Sequence, residues 1–249
     1  MMSDILKENK VKRVLVVEDD REIRNLLSDF LSENEYNVTE AKDGEIASKL
    51  ISEECFDIIL MDMMLPYKSG DVLIKELRDS EDKEKRMTPV IVLSARTMKD
   101  IRLEVLRMGA DDYIIKPFDL DEVLVRIEVV MRRSESTVSD NTSSEEMSLS
   151  QDGLVLDPRL MSVTFNDKPI KLTSKEMQLL EIFLKNPKKT FTKANLYETV
   201  WEDTYYYEDN TINVHMSNLR SKLKKATGRE YIETVWGIGY KLKASEDQG

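Results

Sequence analysis

The sequence has 249 residues but only one cysteine, one histidine, eight glycines and six prolines. Its single cysteine, Cys55, cannot form a disulfide within the chain, and we expect a small buried side chain in a reducing compartment. No run approaches the roughly 18 apolar residues that cross a bilayer, and the first residues lack the apolar core of a signal peptide. These absences argue against a disulfide-stapled secreted domain and against a membrane partner. We therefore expect a cytoplasmic chain.

Charge is distributed unevenly along the chain, whose net charge is −11. Residues 1–150 carry 34 acidic and 22 basic side chains, whereas residues 151–249 carry 14 and 15. Overall acidity would argue against nucleic-acid binding, but each half has to be judged by its own charge.

The first half alternates strand and helix signals five times between residues 12 and 133. Strands are predicted near residues 12–17, 36–40, 57–61, 89–93 and 112–115. This alternation predicts an α/β domain over 1–133, with a five-stranded, doubly wound parallel sheet and helices on both faces. Residues 134–150 are rich in serine and glutamate without periodicity, which predicts a flexible linker.

The pattern changes in the second half, residues 151–249. Short strands are predicted at 154–156, 163–165 and 170–172, and helices from a capping box at Thr173–Glu176, near 192–200 and near 209–226. A hairpin with glycines at its tip is predicted within 231–242. Three helices and a terminal hairpin predict a separate α+β winged helix-turn-helix domain.

Four predicted strands of the first half end in residues able to take part in phosphoryl chemistry. These residues are Glu18 and Asp19 after the first strand, Asp62 after the third, Ser94 after the fourth and Lys116 after the fifth. The carboxyl ends of parallel strands meet at one edge of a sheet, so we expect these groups to converge. Clustered carboxylates resist ionisation without a cation, and Mg²⁺ suits an all-oxygen site. Asp62, alone at the end of a central strand, is the expected phosphate acceptor.

The phosphate donor has to come from outside the chain. The sole histidine, His215, lies in the third predicted helix of the second half, and no glycine-rich nucleotide loop is present. A second protein or a small phosphodonor is therefore expected.

Residues 1–133 resemble a response-regulator receiver domain. The resemblance is carried by Glu18-Asp19-Asp20, Asp62 followed by Pro66, Ser94-Ala95 and Lys116-Pro117-Phe118. It implies that Asp62 accepts phosphate from a sensor histidine kinase. It also implies a Mg²⁺ site, a phosphate-binding and switch group, and a cis Lys116–Pro117 bond. The implied metal ligands are Glu18, Asp19, Asp62 and the Met64 backbone carbonyl, and the implied switch group is Ser94, Tyr113 and Lys116.

Residues 211–229 contain five basic and no acidic side chains, on a predicted helix whose apolar stripe would face a core. Lysine, arginine and asparagine on the other face suit phosphates and base edges in the major groove. The segment from Leu172 to Tyr240 resembles the DNA-binding domain of OmpR/PhoB-type regulators. The motifs are 173–176, 200–201, 211–215, 219–220 and 237–240. The implied DNA contacts are Asn210, Thr211, Asn213, His215, Ser217, Asn218, Arg220, Lys224 and Trp236.

Trp236 stands where family members often carry an arginine in the wing. We expect its ring to pack into the core, with stacking on a sugar as the alternative. His215 is expected to contact a phosphate or to have a structural role.

The resemblance implies a two-component response regulator that forms a homodimer on phosphorylation and binds promoter double-stranded DNA, with direct-repeat half-sites, to regulate transcription. Intermolecular pairs of Arg102 with Glu122 and of Asp112 with Arg126 are implied at the dimer interface. RNA polymerase is a further candidate partner.

Three alternatives are less favoured. An aspartyl-phosphate phosphatase or transferase would need a second acid two residues beyond the nucleophile, where Met64 stands. A DNA-binding protein with a vestigial receiver conflicts with the complete set of pocket residues, and a protein-interaction module conflicts with the acid-free helix. We expect no enzymatic turnover beyond the receiver's own phosphorylation and dephosphorylation.

Overall fold

The computed structural model describes residues 11–95, 99–136, 148–201 and 211–244, and within these ranges it leaves out the side chains of residues 99–102 and 132–136. Among the helices so described, none combines the length and the apolar character that crossing a membrane requires.

The N-terminal domain is built on five parallel strands in the order β2-β1-β3-β4-β5. The strands are β1 (Arg13–Val17), β2 (Asn37–Ala41), β3 (Ile58–Asp62), β4 (Val90–Ser94) and β5 (Asp112–Ile115). Every residue of β3 and β4 is buried, because helices cover both faces of the sheet. The predicted doubly wound sheet is confirmed, and its strands begin and end within a residue of the predicted bounds.

Among the described residues, six helices surround this sheet in two layers. They are α1 (Arg21–Glu33), α2 (Gly44–Glu53), α3 (Gly70–Asp79), α4 (Lys83–Met87), α5 (Lys99–Met108) and α6 (Leu120–Ser136). Helices α1 and α6 pack on one face through Leu27, Leu31, Val123 and Ile127. Helices α2, α3 and α5 cover the other face. The loops that follow β1, β3, β4 and β5 therefore gather at one edge.

In the part of the C-terminal domain that the structure describes, there are a four-stranded antiparallel sheet, three helices and a three-stranded sheet. Its elements are β6 (Leu149–Gln151), β7 (Leu154–Asp157), β8 (Ser162–Phe165), β9 (Lys168–Pro169), α7 (Ser174–Lys185), β10 (Thr190–Thr192), α8 (Lys193–Trp201), α9 (Thr211–Thr227), β11 (Ile232–Val235) and β12 (Gly239–Leu242). The terminal hairpin β11–β12 also pairs with β10. This arrangement confirms the winged helix.

Helix α7 begins at the predicted capping box. The Thr173 hydroxyl accepts from Glu176 N–H, and the Glu176 carboxylate accepts from Thr173 N–H at 2.8 Å. Two backbone donors at the helix start are satisfied in this way.

Several local predictions need correction. Cys55 is exposed, not buried as expected. The strand predicted at 170–172 is instead β9, two residues earlier; Ile170 N–H still donates to Val163 O at 2.8 Å, but pairing ends there. Strands β6 and β10 were not predicted, because three-residue strands carry almost no periodicity. Helix α6 and strand β6 extend into both ends of the predicted linker, and residues 137–147 lie outside the described residues.

Candidate functional site

Three carboxylates lie together at the carboxyl ends of β1 and β3, which are neighbours in the sheet. Glu18 and Asp19 follow β1 directly, and Asp62 is the last residue of β3. One oxygen of each carboxylate lies within 4.8 Å of the other two. Glu18 and Asp62 are buried, whereas Asp19 is exposed. The structure thus brings the three predicted acids into one cluster, with one member open to solvent.

Lys116 follows β5 and extends its ammonium into this cluster. Its Nζ donates to Glu18 Oε2 at 2.5 Å and also to Asp62 Oδ2. Its backbone N–H donates to Ser94 O at 2.8 Å, which joins it to the end of β4. The Lys116–Pro117 peptide bond is cis, as the resemblance implied.

Burial and mutual interaction shift the pKa values of this cluster. Burial raises the pKa of Glu18, and the neighbouring Asp62 carboxylate raises it further, against the opposing effect of Lys116. Burial acts to lower the pKa of Lys116, but its hydrogen bonds to Asp62 and Glu18 outweigh burial, so the pKa is raised. Lys116 is therefore cationic at neutral pH.

The donor set fits a hard divalent cation. Three carboxylates face a single ammonium, so ionised side chains leave an excess of negative charge that Mg²⁺ would balance. Asp62 Oδ1 also accepts a hydrogen bond from Met64 N–H at 2.8 Å, so residue 64 borders the site. Oxygen ligands of this kind are those that Mg²⁺ prefers in proteins.

Glu18→Gln is expected to stabilise the Mg²⁺-free protein at neutral pH. The folded-state pKa of Glu18 is raised, so ionising it in the folded protein costs stability that a neutral amide does not. Below the ordinary pKa of glutamate, Glu18 is protonated in both the folded and the unfolded protein. The difference in stability between Glu18→Gln and the wild type should therefore vanish there. Thermal denaturation from pH 4 to pH 8 in EDTA measures this; a variant equally destabilised at every pH would contradict it.

Ser94 and Tyr113 lie on neighbouring strands beside the cluster. Ser94 ends β4, and Tyr113 is the second residue of β5; both side chains are buried. Tyr113 belongs to a hydrophobic cluster that also contains Val214 of α9. The proposed switch residue is thus connected by packing to the C-terminal domain.

Helix α9 presents a polar face beside the terminal hairpin. A groove between them is lined by Asn213, Ser217, Arg220, Ser221, Lys224 and Tyr240. The hydroxyl of Tyr240 lies 3.3 Å from Asn213 Oδ1, and Arg220 Nη1 donates to Thr234 Oγ1 at 3.1 Å. The hairpin is therefore held against the face that the sequence assigned to DNA.

Two predicted DNA contacts need correction. Thr211 and His215 are both only 1% exposed, and the His215 ring lies 5.1 Å from the Trp201 ring. In this arrangement neither side chain is open to DNA, and a structural role for His215 stays a prediction that its packing beside Trp201 favours. Asn210 lies outside the described residues.

The expectation that Trp236 packs into the core is wrong. Its side chain is 91% exposed at the tip of the hairpin. Side chains of a hairpin strand alternate between its two faces, and this alternation ends with β11 at Val235. Trp236 lies beyond it, so the strand pattern does not direct the ring toward the core.

Family models match both domains. Residues 14–128 match the response regulator receiver domain, and residues 167–242 match the C-terminal domain of transcriptional regulatory proteins. Relatives align over both: an uncharacterised transcriptional regulatory protein, YcbL, of Bacillus subtilis is 37% identical over 92% of this chain and 99% of its own. The chain is an OmpR/PhoB-type response regulator.

Other relatives of this response regulator also align over both domains. The response regulator MprA of Mycolicibacterium vanbaalenii is 37% identical over 93% of this chain and 97% of its own. The transcriptional regulatory protein SrrA of Staphylococcus aureus is 33% identical over 94% and 96%. A solved RitR mutant is 25% identical with a TM-score of 0.75, covering 94% of this chain and all of that one. The family belongs to two-component systems and regulates transcription through DNA binding, rather than acting as a classical enzyme.

The two domains of the regulator meet where the end of α5 and the α5–β5 loop of the receiver contact α9 and α8. We call this contact the domain junction. The indole N–H of Trp201 donates to Asp111 O at 3.2 Å, and Asn218 Nδ2 donates to Arg107 O at 3.2 Å. Val214 of α9 is buried in the receiver's hydrophobic cluster. Part of the helix assigned to DNA therefore faces the receiver.

A buried ion pair supports the receiver side of the junction. Arg78 Nη2 lies 2.8 Å from Asp111 Oδ2, and that oxygen also accepts from Val90 N–H at 2.9 Å. Arg78 further donates to Gly109 O at 2.8 Å. Burial raises the pKa of Asp111 against the opposing charge of Arg78. Arg78 thus holds the loop to which Trp201 binds.

Three of the four predicted dimer-interface residues are paired within the chain. Arg126 contacts Asp112 Oδ2 at 2.8 Å and Glu122 Oε1 at 2.9 Å. The side chain of Arg102 lies outside the described residues. The intermolecular pairs stay a prediction, and they require Arg126 to exchange an internal partner for one on a second chain.

Sequence reasoning missed the junction entirely. Trp201 has the pattern of a core residue, and Arg107 and Asp111 contribute backbone oxygens, which no side-chain pattern reveals. The pairing of a buried arginine with a buried aspartate across 33 residues also leaves no periodic signal.

Proposed function

We propose that this regulator accepts phosphate on Asp62 from a sensor histidine kinase, with Mg²⁺, and then dimerises through its receiver and binds promoter DNA. The observation that carries the proposal is the cluster of Glu18, Asp19 and Asp62 around the Lys116 ammonium. A carboxylate poised beside a fixed cation and further oxygen ligands is suited to phosphoryl transfer.

In the transfer, a carboxylate oxygen of Asp62 attacks phosphorus while the bond from phosphorus to the donor nitrogen breaks, and that nitrogen keeps the bonding electrons. Lys116 then exchanges its contact with the Asp62 carboxylate for one with a phosphoryl oxygen. The Ser94 hydroxyl donates to another phosphoryl oxygen. Mg²⁺, held by Glu18, Asp19, Asp62 and the Met64 carbonyl, would neutralise charge on the phosphoryl group.

The output is DNA binding by the polar face of α9 and by the terminal hairpin. Asn213, Ser217 and Asn218 would contact base edges, whereas Arg220 and Lys224 would contact phosphates. Two copies would occupy direct-repeat half-sites, held together by receiver pairs of Arg102 with Glu122 and Asp112 with Arg126. Exposed ion pairs are weak, so these would set the register of the dimer.

Coupling runs through the domain junction. We call the arrangement with the domain junction formed the closed form, and the arrangement with the junction broken the open form. In the closed form Asn218 and Val214 contact the receiver, so the receiver competes with DNA for α9. Movement of Ser94 toward the phosphoryl group would change the space around Tyr113, which shares a hydrophobic cluster with Val214. Phosphate would then shift the population toward the open form rather than create a new surface.

Selection from random double-stranded DNA tests the output. Full-length protein is incubated with the pool, Mg²⁺ and acetyl phosphate, and enriched fragments are bound again with and without the phosphodonor. We expect one repeated half-site motif and tighter binding with the phosphodonor. Recovery of unenriched sequence, or equal affinity in both conditions, would contradict the proposal.

Trp201→Phe is expected to loosen the junction. It removes the indole donor and leaves the buried Asp111 carbonyl without this bond, which costs about 1 kcal/mol and favours opening by roughly fivefold. Unphosphorylated Trp201→Phe should therefore bind DNA about fivefold more tightly than the wild type, with little change after phosphorylation.

Phe191→Leu is the matched control for that variant. Phe191 is buried in the same C-terminal core but lies on β10, and its ring packs edge-on against Phe183. It should lose stability without any gain in DNA affinity. Equal affinities of Trp201→Phe and wild type would show that the junction does not restrain α9.

A further inference from the structure

The side chain of Arg24, on helix α1, extends back to the loop that carries Glu18 and Asp19. Its Nη1 donates to Glu18 O at 2.7 Å and to Asp19 O at 3.2 Å. The side chain is only 12% exposed, so these bonds are largely shielded from water. Hydrogen bonds from a charged donor are stronger than neutral ones. The guanidinium is thus fastened to the backbone of two of the three clustered acids.

These two hydrogen bonds hold the backbone on both sides of Asp19. The Glu18 carbonyl belongs to the peptide unit before the Asp19 Cα, and the Asp19 carbonyl belongs to the unit after it. Peptide units are planar, so holding both of them fixes the two backbone dihedral angles of Asp19 and the direction of its Cα–Cβ bond. Asp19 is the exposed member of the acidic cluster. Arg24 therefore supplies a constraint that burial supplies for Glu18 and Asp62.

Arg24 also connects this loop to the neighbouring strand β2. Its Nε donates to Glu40 Oε2 at 3.1 Å, and the Glu18 N–H donates to Ala41 O at 3.1 Å. A positive charge beside an acidic cluster would repel a metal cation, and the Glu40 carboxylate offsets that charge. The pair can therefore fix the loop with little electrostatic cost to cation binding.

We propose that Arg24 is a positioning residue of the Mg²⁺ site, which orients Asp19 and Glu18 toward the ion through their backbone carbonyls. The inference rests on the Mg²⁺ binding proposed above, and it adds a residue outside the ligand set that determines the affinity. Removal of a group that orients metal ligands typically lowers metal affinity by about 10–100-fold.

Thermal unfolding of the full-length protein at increasing MgCl₂ concentrations measures this affinity. A ligand that binds only the folded state raises the unfolding midpoint, and the rise with concentration gives the dissociation constant. Arg24→Met should raise that constant about tenfold. A nearby charge acting alone predicts the opposite sign, because its removal would strengthen cation binding. Unchanged or tighter Mg²⁺ binding by Arg24→Met would overturn the proposal.

Arg24→Lys separates the geometry of the side chain from its charge. A single ammonium cannot occupy the positions of both Nε and Nη1, so this variant should also bind Mg²⁺ more weakly than the wild type. Wild-type affinity in Arg24→Lys would contradict the positioning role.

Arg13→Met is the matched control, because Arg13 makes the same kinds of bond at the opposite end of β1. Its Nη1 donates to Cys55 O at 2.9 Å, and its guanidinium pairs with Glu54. This variant should lose stability in EDTA while its dissociation constant for Mg²⁺ stays that of the wild type. Equal weakening of Mg²⁺ binding in Arg13→Met and Arg24→Met would assign the effect to general destabilisation and overturn the proposal.

The rate of phosphorylation by acetyl phosphate gives a second readout. Arg24→Met should need about tenfold more Mg²⁺ for its half-maximal rate, with nearly the wild-type rate at saturation. A maximal rate that stays low at saturating Mg²⁺ would place Arg24 in the transfer itself and contradict positioning. If Mg²⁺ stabilises the wild type and Arg24→Met equally, this inference fails and the proposed function stands. If Mg²⁺ does not stabilise the wild type, both fail.

Discussion

Asp62→Ala and Asp62→Asn are expected to abolish the phosphodonor-dependent increase in DNA affinity. Asp62 accepts from the Lys116 ammonium within the cluster that it forms with Glu18 and Asp19, and its oxygen is the proposed nucleophile. Neither alanine nor asparagine offers a carboxylate oxygen for the new bond to phosphorus. Gel-shift titration with the selected DNA, with and without acetyl phosphate, measures the increase.

Asp29→Asn is the matched control for the Asp62 variants. Asp29 is an exposed carboxylate of α1 that is not part of the acidic cluster. It should respond to the phosphodonor as the wild type does. A full response in Asp62→Ala would mean that phosphate acts elsewhere or that DNA binding is independent of phosphate.

Arg78→Met is expected to destabilise the receiver by about 3–5 kcal/mol, because it leaves the Asp111 carboxylate buried without its cation. Arg78 also donates to the backbone oxygens of Gly109, Arg86 and Thr88, which would lose these bonds. For a domain of this size the unfolding midpoint should fall by roughly 10–25 degrees.

The pH dependence of the stability lost in Arg78→Met follows from the pKa of Asp111. Burial already raises the pKa of Asp111 in the folded state, and removing Arg78 removes an opposing charge. When the pKa of a carboxyl group is raised in the folded state, the free energy of unfolding is highest at low pH and falls as pH rises. The deficit of Arg78→Met should therefore be smaller near pH 4 than at pH 7.

Two further variants make this test specific. Arg78→Met combined with Asp111→Asn removes the uncompensated charge and should regain a substantial part of the stability. Lys185→Met breaks an exposed pair with Glu181 and should change stability by less than about 1 kcal/mol. Equal losses in Arg78→Met and Lys185→Met would show that the buried pair is not important for the fold.

The parallel sheet could be predicted from sequence because four of its five strands contain a continuous apolar run that ends at or just before a functional residue. Burial on both faces forces that pattern, and the strand order then brings Asp62 and Lys116 together without any further information. The antiparallel strands of the C-terminal domain are short and half-exposed. Their composition is close to that of loops, which explains the displaced strand at β9.

The errors concern positions where tertiary context decides. Trp236 was expected in the core because tryptophan is usually largely buried, yet its place at a hairpin tip leaves the ring in water. His215 was a candidate DNA contact by its place on a basic helix, and its ring instead packs beside Trp201. The junction between Trp201 and Asp111 depends on the relative placement of two domains, which no local pattern records.

Mass spectrometry of the phosphorylated protein tests the central claim most directly. Full-length protein with Mg²⁺ and acetyl phosphate is measured intact, then treated with borohydride, which reduces an acyl phosphate, and mapped by peptide. We predict one added phosphoryl group, located on Asp62 and absent from Asp62→Asn. A wild type that never gains the group, or gains it at another residue, would contradict the account of this acidic cluster as the phosphate acceptor.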